Sequence, residues 1–289
     1  MYSLKDFPSI IEIQFHNVCN SNCLICPYKK MNYIKEYMDD KLFEKFLSEI
    51  DNSNLKRIIP YLNNEPFLEK TYVEKLKKIR HKLPKVEIEI STNVSCLSEQ
   101  NIKELLNINL TELRLSVFGY YDNTYKKMMP CLNKEIVFKK LNIISKYFKN
   151  TKTIVSIVMI DTGDINEEEF KKMELFAKSL GFQFERWGFL DRSKNVEYKS
   201  NNFYCNNVCG CEQKRPLERM HILSNGNVIL CCQDWSHQTI IGNIRNNTIS
   251  EIWNSTKYNT FRKMVYSKNV EAPEICKNCK LALTYIDRK

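Results

Sequence analysis

The sequence predicts an α/β protein, an open or partial barrel of six βα units followed by a small metal-stapled unit, and three observations carry that prediction. Short β-rich runs alternate with segments of helical period through the first two thirds of the 289 residues, the pattern of a parallel sheet covered by helices. A polar stretch from Asp191 to Asn207 then breaks the alternation and reads as a linker or long loop. Beyond the β-rich part lie Cys205, Cys209, Cys211, Cys231, Cys232, Cys276 and Cys279, seven of the twelve cysteines. Six βα units are too few for a closed eight-stranded barrel, which leaves the open form. The expected division is a core over residues 1–190, a linker over 191–204 and a second unit over 205–289.

The strands read in order as Ile10 to Phe15, Arg57 to Leu62, Val86 to Ser91, Glu112 to Val117, Thr153 to Met159 and Phe182 to Trp187. Helical periodicity falls between them, around Asp39 to Ile50, Glu69 to His81, Ser98 to Leu106, Asn133 to Phe148 and Asn166 to Leu180. Ser98 suits an N-cap, and Gly181 a C-terminal stop. In the second unit Arg219 to Leu223 and Val228 to Cys231 flank Ser224-Asn225-Gly226-Asn227, a hairpin signal. A lobe this small gains folding energy from ligated metal.

Apolar residues make up 43 %, charged residues 27 % and aromatics 11 %, a globular composition that excludes disorder and fibrous repeats. Seven glycines leave no Gly-rich loop to cradle a nucleotide phosphate, so Walker and Rossmann binding are not expected. No apolar run reaches the roughly 18 residues of a membrane span, and Met1 to Pro8 lacks the character of a signal peptide. A cytoplasmic protein is expected, and in that reducing setting twelve cysteines point to metal or thiol chemistry rather than disulfides. The net charge of +10 suits an anionic small substrate or an acidic peptide. Its lysines come as doublets such as Lys29-Lys30 and Lys126-Lys127, with no cluster of Arg and stacking aromatics, so nucleic-acid binding is not expected.

The strongest local signal is Cys19-Asn20-Ser21-Asn22-Cys23-Leu24-Ile25-Cys26, in the loop after the first strand. Three thiolates in one loop suit a 4Fe-4S cube that keeps one iron open for a substrate or cofactor, whereas electron-transfer clusters use four. Zinc completed by a distant Cys or His is the alternative on spacing alone.

CxxxCxxC after the first strand of a six-unit βα chain resembles the radical S-adenosylmethionine (radical SAM) superfamily. The resemblance extends to Tyr28, where the family commonly places an aromatic residue near the adenine, and to Asn64-Glu65-Pro66, similar to the family's Gly-Glu-Pro. It implies that Glu65 holds the methionine amino group and that Ser91, Thr92, Asn93 and Ser116 contact ribose and carboxylate. Asn64 and Val94 stand where the family often has Gly. All these residues fall at the C-terminal ends of the expected parallel strands, the face on which βα folds build their sites. The implied chemistry is reductive cleavage of S-adenosylmethionine, giving a 5'-deoxyadenosyl radical that abstracts a substrate hydrogen.

In the second unit, Cys211, Cys231 and Cys276-Lys277-Asn278-Cys279 provide a candidate all-thiolate set, for zinc or for iron and sulfur. The run Asn225 to Trp235, Gly242-Asn243-Ile244, Ile252-Trp253 and Phe261-Arg262-Lys263-Met264 resembles the SPASM and twitch extensions of the superfamily, which implies an auxiliary 4Fe-4S cluster. The expected ligands are Cys211, Cys231, Cys276 and Cys279. Cys205 or Cys209 remains able to replace Cys211, and those two with Cys232 could serve a second cluster. Cys96 and Cys131 are expected to be ordinary buried or partly buried thiols.

The stretch Gly226 to Met264 resembles most the butirosin-type dehydrogenases, which oxidise a secondary alcohol of an amino-cyclitol. An oxidoreductase is expected on that resemblance, with the auxiliary cluster taking the remaining electron. Arg192 stands where such dehydrogenases place an Arg close to substrate, and is the candidate for orienting or deprotonating it. A low-potential donor such as a flavodoxin or ferredoxin is the implied protein partner. The alternatives are modification of a ribosomally made peptide, by thioether, crosslink or epimerisation, and a metal-binding module without radical chemistry.

Overall fold

Six strands form in the expected order: β1 (Ile10–Ile13), β2 (Arg57–Ile59), β3 (Glu87–Thr92), β4 (Glu112–Ser116), β5 (Ile154–Asp161) and β6 (Gln183–Gly188). Each pairs in parallel with the next. The computed structural model describes residues 4–50, 53–199, 203–268 and 270–284. Strand β2 stops three residues short of the expected Leu62, because Pro60 has no N–H to give to a ladder.

The helices between them span Asp40–Glu49, Tyr72–Lys82, Glu99–Ile108, Lys134–Phe148 and Glu167–Ser179. Ser98 caps the third through a reciprocal exchange with Asn101, and Gly181 follows the last with φ +76°, a left-handed position that glycine occupies without strain. On β3 and β4, Ile88, Ile90, Leu113 and Leu115 join the helices' apolar residues in the main core. Because strand side chains alternate, Glu89, Ser91, Arg114 and Ser116 stand on the opposite face. There Glu89 accepts from Arg57, at 2.8 Å, from Tyr61, at 2.9 Å, and from Arg114.

One short helix, Asp122–Met128, was not expected from the sequence, since seven residues give too little periodicity to read. It bears on the site. Buried Glu169 receives the Tyr120 and Tyr121 backbone N–H groups and the Thr124 hydroxyl, which fixes its start. At Gly119 an added Cβ would lie 2.4 Å from the Tyr125 nitrogen, so only glycine fits that turn.

The second unit continues the core sheet. β8 (Arg219–Ile222) pairs in parallel with β1, and β9 (Asn227–Ile229) and β10 (Ile240–Asn243) follow as antiparallel strands. The resulting sheet is open and nine-stranded, with β10 and β6 at its edges. The expected hairpin is β8–β9, with Gly226 at φ +87°. β7 (Val208–Cys211) and β11 (Ala282–Thr284) make a separate antiparallel pair. Helices Ile249–Asn254 and Thr256–Tyr266 complete the lobe, and no helix among the described residues is long and apolar enough to cross a membrane.

Candidate functional site

The loop after β1 is tied down from four sides. The Asn17 backbone N–H donates to the Glu36 carbonyl, at 3.1 Å, and the Glu65 N–H to the Val18 carbonyl, at 3.0 Å. Asn93 Nδ2 donates to the Asn20 side chain at 2.9 Å. The Leu24 N–H donates to the Met128 carbonyl at 3.0 Å, which is how the unexpected helix holds the loop. Cys19, Cys23 and Cys26 then line one cavity of about 180 Å³. Burial pushes the Cys23 thiol up to about 12 and raises Cys19 and Cys26 as well, with Arg192 working against that shift at Cys26. Three half-buried thiols converging on one space, costly to ionise alone, fit a cationic iron group that supplies the compensating charge.

The same cavity is lined by Tyr28, Glu65, Ser91, Thr92, Asn93, Ser116 and Arg192, so every residue expected in the cofactor site meets there. Glu65 is 2 % exposed. One of its oxygens accepts from Thr92 Oγ1 at 2.6 Å and the other from the Asn93 N–H at 2.7 Å. Burial nevertheless raises its carboxyl to about 7 against those hydrogen bonds. A buried carboxylate with no ion pair among the described residues, eased only in part by the charge of Lys140, suits an ammonium group. Thr92 spends its hydroxyl on Glu65 and on the Val94 N–H, and acts through them. Ser91 and Ser116 hydroxyls lie 3.4 Å apart across β3 and β4.

Val94 is fully buried with φ +70°. The position where the family often has Gly is thus left-handed in this chain, and a β-branched residue occupies it under strain. His16 is also fully buried. Its Nδ1 accepts from the Val18 N–H at 3.1 Å, and its Nε2 lies 3.3 Å from Asn64 Nδ2. Its place is to brace the loop before Glu65.

Two lining residues come from beyond β6. Arg192 sits in a turn where Arg192, Ser193 and Lys194 are all left-handed, pinned by the Val196 N–H on the Asp191 carbonyl at 2.9 Å. Trp235, the last residue of the Asn225 to Trp235 run, also lines the cavity, a place that nothing local in the sequence marks. Asp234 aims it, accepting from the Gln238 and Thr239 N–H groups at 3.0 and 2.7 Å, and Tyr33 donates its hydroxyl to the Trp235 carbonyl. Tyr61, Phe118 and Met129 also line the cavity with no motif of their own.

A second cavity gathers Cys211, Cys231, Cys276 and Cys279, with Arg215 beside them. Cys276 and Cys279 are raised by burial, and the Gln233 N–H points at the Cys231 sulfur from 3.4 Å. Four thiols and no other ionisable ligand fit an all-thiolate group. Among the described residues Cys205 and Cys209 do not line it; Cys205 donates its backbone N–H to the Lys277 carbonyl and Cys209 is buried. Cys232 does not line it; its thiol hydrogen-bonds that of Cys231 and lies within 4.8 Å of ligand atoms of Glu12 and His221. Cys96 is partly buried as expected, whereas Cys131 is exposed, because it follows the end of helix Asp122–Met128 in a surface turn.

A family profile described as the radical SAM superfamily matches residues 13–177, and one described as an iron-sulfur cluster-binding domain, SPASM, matches residues 209–280. The S-adenosyl-L-methionine-dependent 2-deoxy-scyllo-inosamine dehydrogenase of Niallia circulans is 23 % identical over 274 residues, 94 % of this chain and 92 % of its own. Among solved structures, BtrN in complex with AdoMet and 2-DOIA matches with TM-score 0.61 at 20 % identity, over 94 % of this chain and 92 % of that one. Streptococcus suis SuiB bound to precursor peptide SuiA matches with TM-score 0.73 at 14 % identity, over 96 % and 71 %. These two are likenesses of fold. The chain belongs to the radical SAM superfamily, as an enzyme that uses S-adenosylmethionine and a 4Fe-4S cluster and carries a SPASM domain for auxiliary iron and sulfur.

Proposed function

We propose that the protein is a dehydrogenase that oxidises an alcohol of a sugar or cyclitol-type small molecule to a ketone. The observation that carries this reading is the pair of thiol sites, one of three cysteines and one of four, in a chain whose similarity to a named cyclitol dehydrogenase runs along 94 % of its length. A four-thiolate site has no open iron for substrate and suits electron transfer, which an oxidation needs and a net-neutral rearrangement does not.

In this reading residues 1–190 are the catalytic core, 191–204 the linker and 205–289 the auxiliary unit. Cys19, Cys23 and Cys26 hold the first cluster, and Cys211, Cys231, Cys276 and Cys279 the second. When bound, the cofactors supply reductive cleavage of S-adenosylmethionine, hydrogen abstraction by the adenosyl group, and an acceptor for the electron left after the hydroxyl proton departs. Glu65 binds the cofactor's ammonium, Tyr28 packs on its adenine, and Ser91, Asn93 and Ser116 meet its ribose and carboxylate. Arg192 orients the substrate hydroxyl, and Trp235 with Phe118 keeps water from the reacting carbon. An external low-potential donor reduces the first cluster.

The test is anaerobic incubation of the reconstituted enzyme with S-adenosylmethionine, dithionite and a panel of amino-cyclitols and sugars deuterated at the carbinol carbon. Deuterium in 5'-deoxyadenosine together with ketone formation supports the reading. Deuterium transfer only from a peptide substrate replaces it with peptide modification.

A further inference from the structure

The four-cysteine cavity has a fifth lining group that no motif pointed to. Arg215 Nη1 lies 3.8 Å from the Cys231 sulfur. Its Nε is buried without a hydrogen-bond partner, and no ion pair with a carboxylate engages it among the described residues. This part-buried guanidinium has no carboxylate ion pair, and its charge acts chiefly on the sulfurs of Cys232 and the ligand Cys231. Iron and sulfide on four thiolates are anionic as a unit, and gain one more negative charge on reduction.

The surrounding fold holds the guanidinium there. Lys214 is left-handed at φ 48°, and its N–H donates to the Cys211 carbonyl at 2.9 Å, which turns the chain sharply from one ligand toward Arg215. The Pro216 carbonyl accepts from Arg262 Nε at 2.9 Å. Arg262 is itself fully buried, donates to the Trp253 carbonyl at 2.7 Å and stacks over Trp253 and Tyr258 at 4.2 and 3.9 Å. The segment between Cys211 and β8 is therefore clamped at both ends.

We propose that Arg215 tunes the auxiliary cluster: its guanidinium stabilises the reduced state and raises the reduction potential, so that the cluster accepts the single electron the substrate loses. This rests on the reading that Cys211, Cys231, Cys276 and Cys279 hold a 4Fe-4S cluster. Charge and N–H groups near the sulfurs set such potentials, and a buried site screens them little. Lys is not an equivalent replacement, because it carries a compact charge on a different stem and lacks the planar fork.

The experiment is an EPR-monitored redox titration of full-length protein in a Cys19→Ala/Cys23→Ala/Cys26→Ala background, where the auxiliary cluster is the sole signal, with Arg215→Gln and Arg215→Lys added. Arg215→Gln is expected to lower the equilibrium constant for reduction at least tenfold, ~59 mV for a one-electron couple, with iron content unchanged and Arg215→Lys falling between. An unchanged midpoint in an iron-loaded Arg215→Gln protein overturns the proposal. If Arg215→Gln loses iron, Arg215→Lys decides: a lowered midpoint supports the proposal and an unchanged one overturns it. A background protein that holds no iron at all overturns the auxiliary-cluster reading itself.

Discussion

Cys19, Cys23 and Cys26 come from one short loop, whereas Cys211, Cys231, Cys276 and Cys279 are gathered from β7, the residues after β9, and the short helix Glu274–Lys277 with the turn that follows it. The first set is aimed by hydrogen bonds from the loops after β2 and β3 and from helix Asp122–Met128. The second depends on distant segments meeting, so it exists only once the lobe has folded. The loop is therefore vulnerable to loss of a single tie, and the lobe to loss of its packing.

The comparison breaks most visibly on the two sets of cysteines. Cys276→Ala is expected to keep dithionite-dependent 5'-deoxyadenosine formation while ketone product is lost, as chromatography of both products would show. If 5'-deoxyadenosine also disappears, the two sites do not have separate roles.

The seam between the regions gives the next effect. Glu12 on β1 accepts from Arg219 on β8 at 2.8 Å and lies 3.5 Å from His221. Burial would raise its carboxyl, but His221 and Arg219 outweigh that and hold it at about 2. Glu12→Gln breaks one member of a buried charged set and should cost about 3 kcal/mol, seen as a lowered Tm of the reconstituted protein. The depressed value means that Glu12 contributes stability above pH 4.5, lost as pH falls toward 2; the variant should be flatter there.

Glu65 sharpens the core side. Its carboxyl sits at about 7 before a cation arrives, so only the ionised form pairs with an ammonium and cofactor affinity should fall about tenfold per pH unit below 7. Glu65→Gln should weaken binding by about 1.5–3 kcal/mol and flatten that profile, measured by equilibrium dialysis of S-adenosylmethionine. A wild-type profile flat from pH 5.5 to 8 contradicts the assignment.

The smallest effect compares one cap from each region. Ser98 and Thr248 each close a reciprocal capping box, and Ser98→Ala and Thr248→Ala should each lower stability by about 1 kcal/mol in thermal unfolding. A much larger loss for Thr248→Ala would show that the lobe is the weaker region.

What could be read from the sequence follows the same division. The six strands, their helices and the cysteine loop were readable because their signals are local: alternation, caps and close spacing. Strand-end residues such as Glu65 and Asn93 were readable because strand order places them on one face. The sharing of one sheet by both units was not, since β1–β8 pairing joins residues more than 200 positions apart and leaves no local pattern. Helix Asp122–Met128 was too short to show a period, and Trp235 and Arg215 reach their cavities through turns set by Asp234 and Lys214.

The most direct test of two thiol sites with two roles is iron and sulfide analysis of anaerobically reconstituted wild type beside the Cys19→Ala/Cys23→Ala/Cys26→Ala variant, with 5'-deoxyadenosine followed in parallel. About eight irons should fall to about four, with 5'-deoxyadenosine abolished. About four irons in wild type, or zinc in the second site, would contradict the two-site assignment.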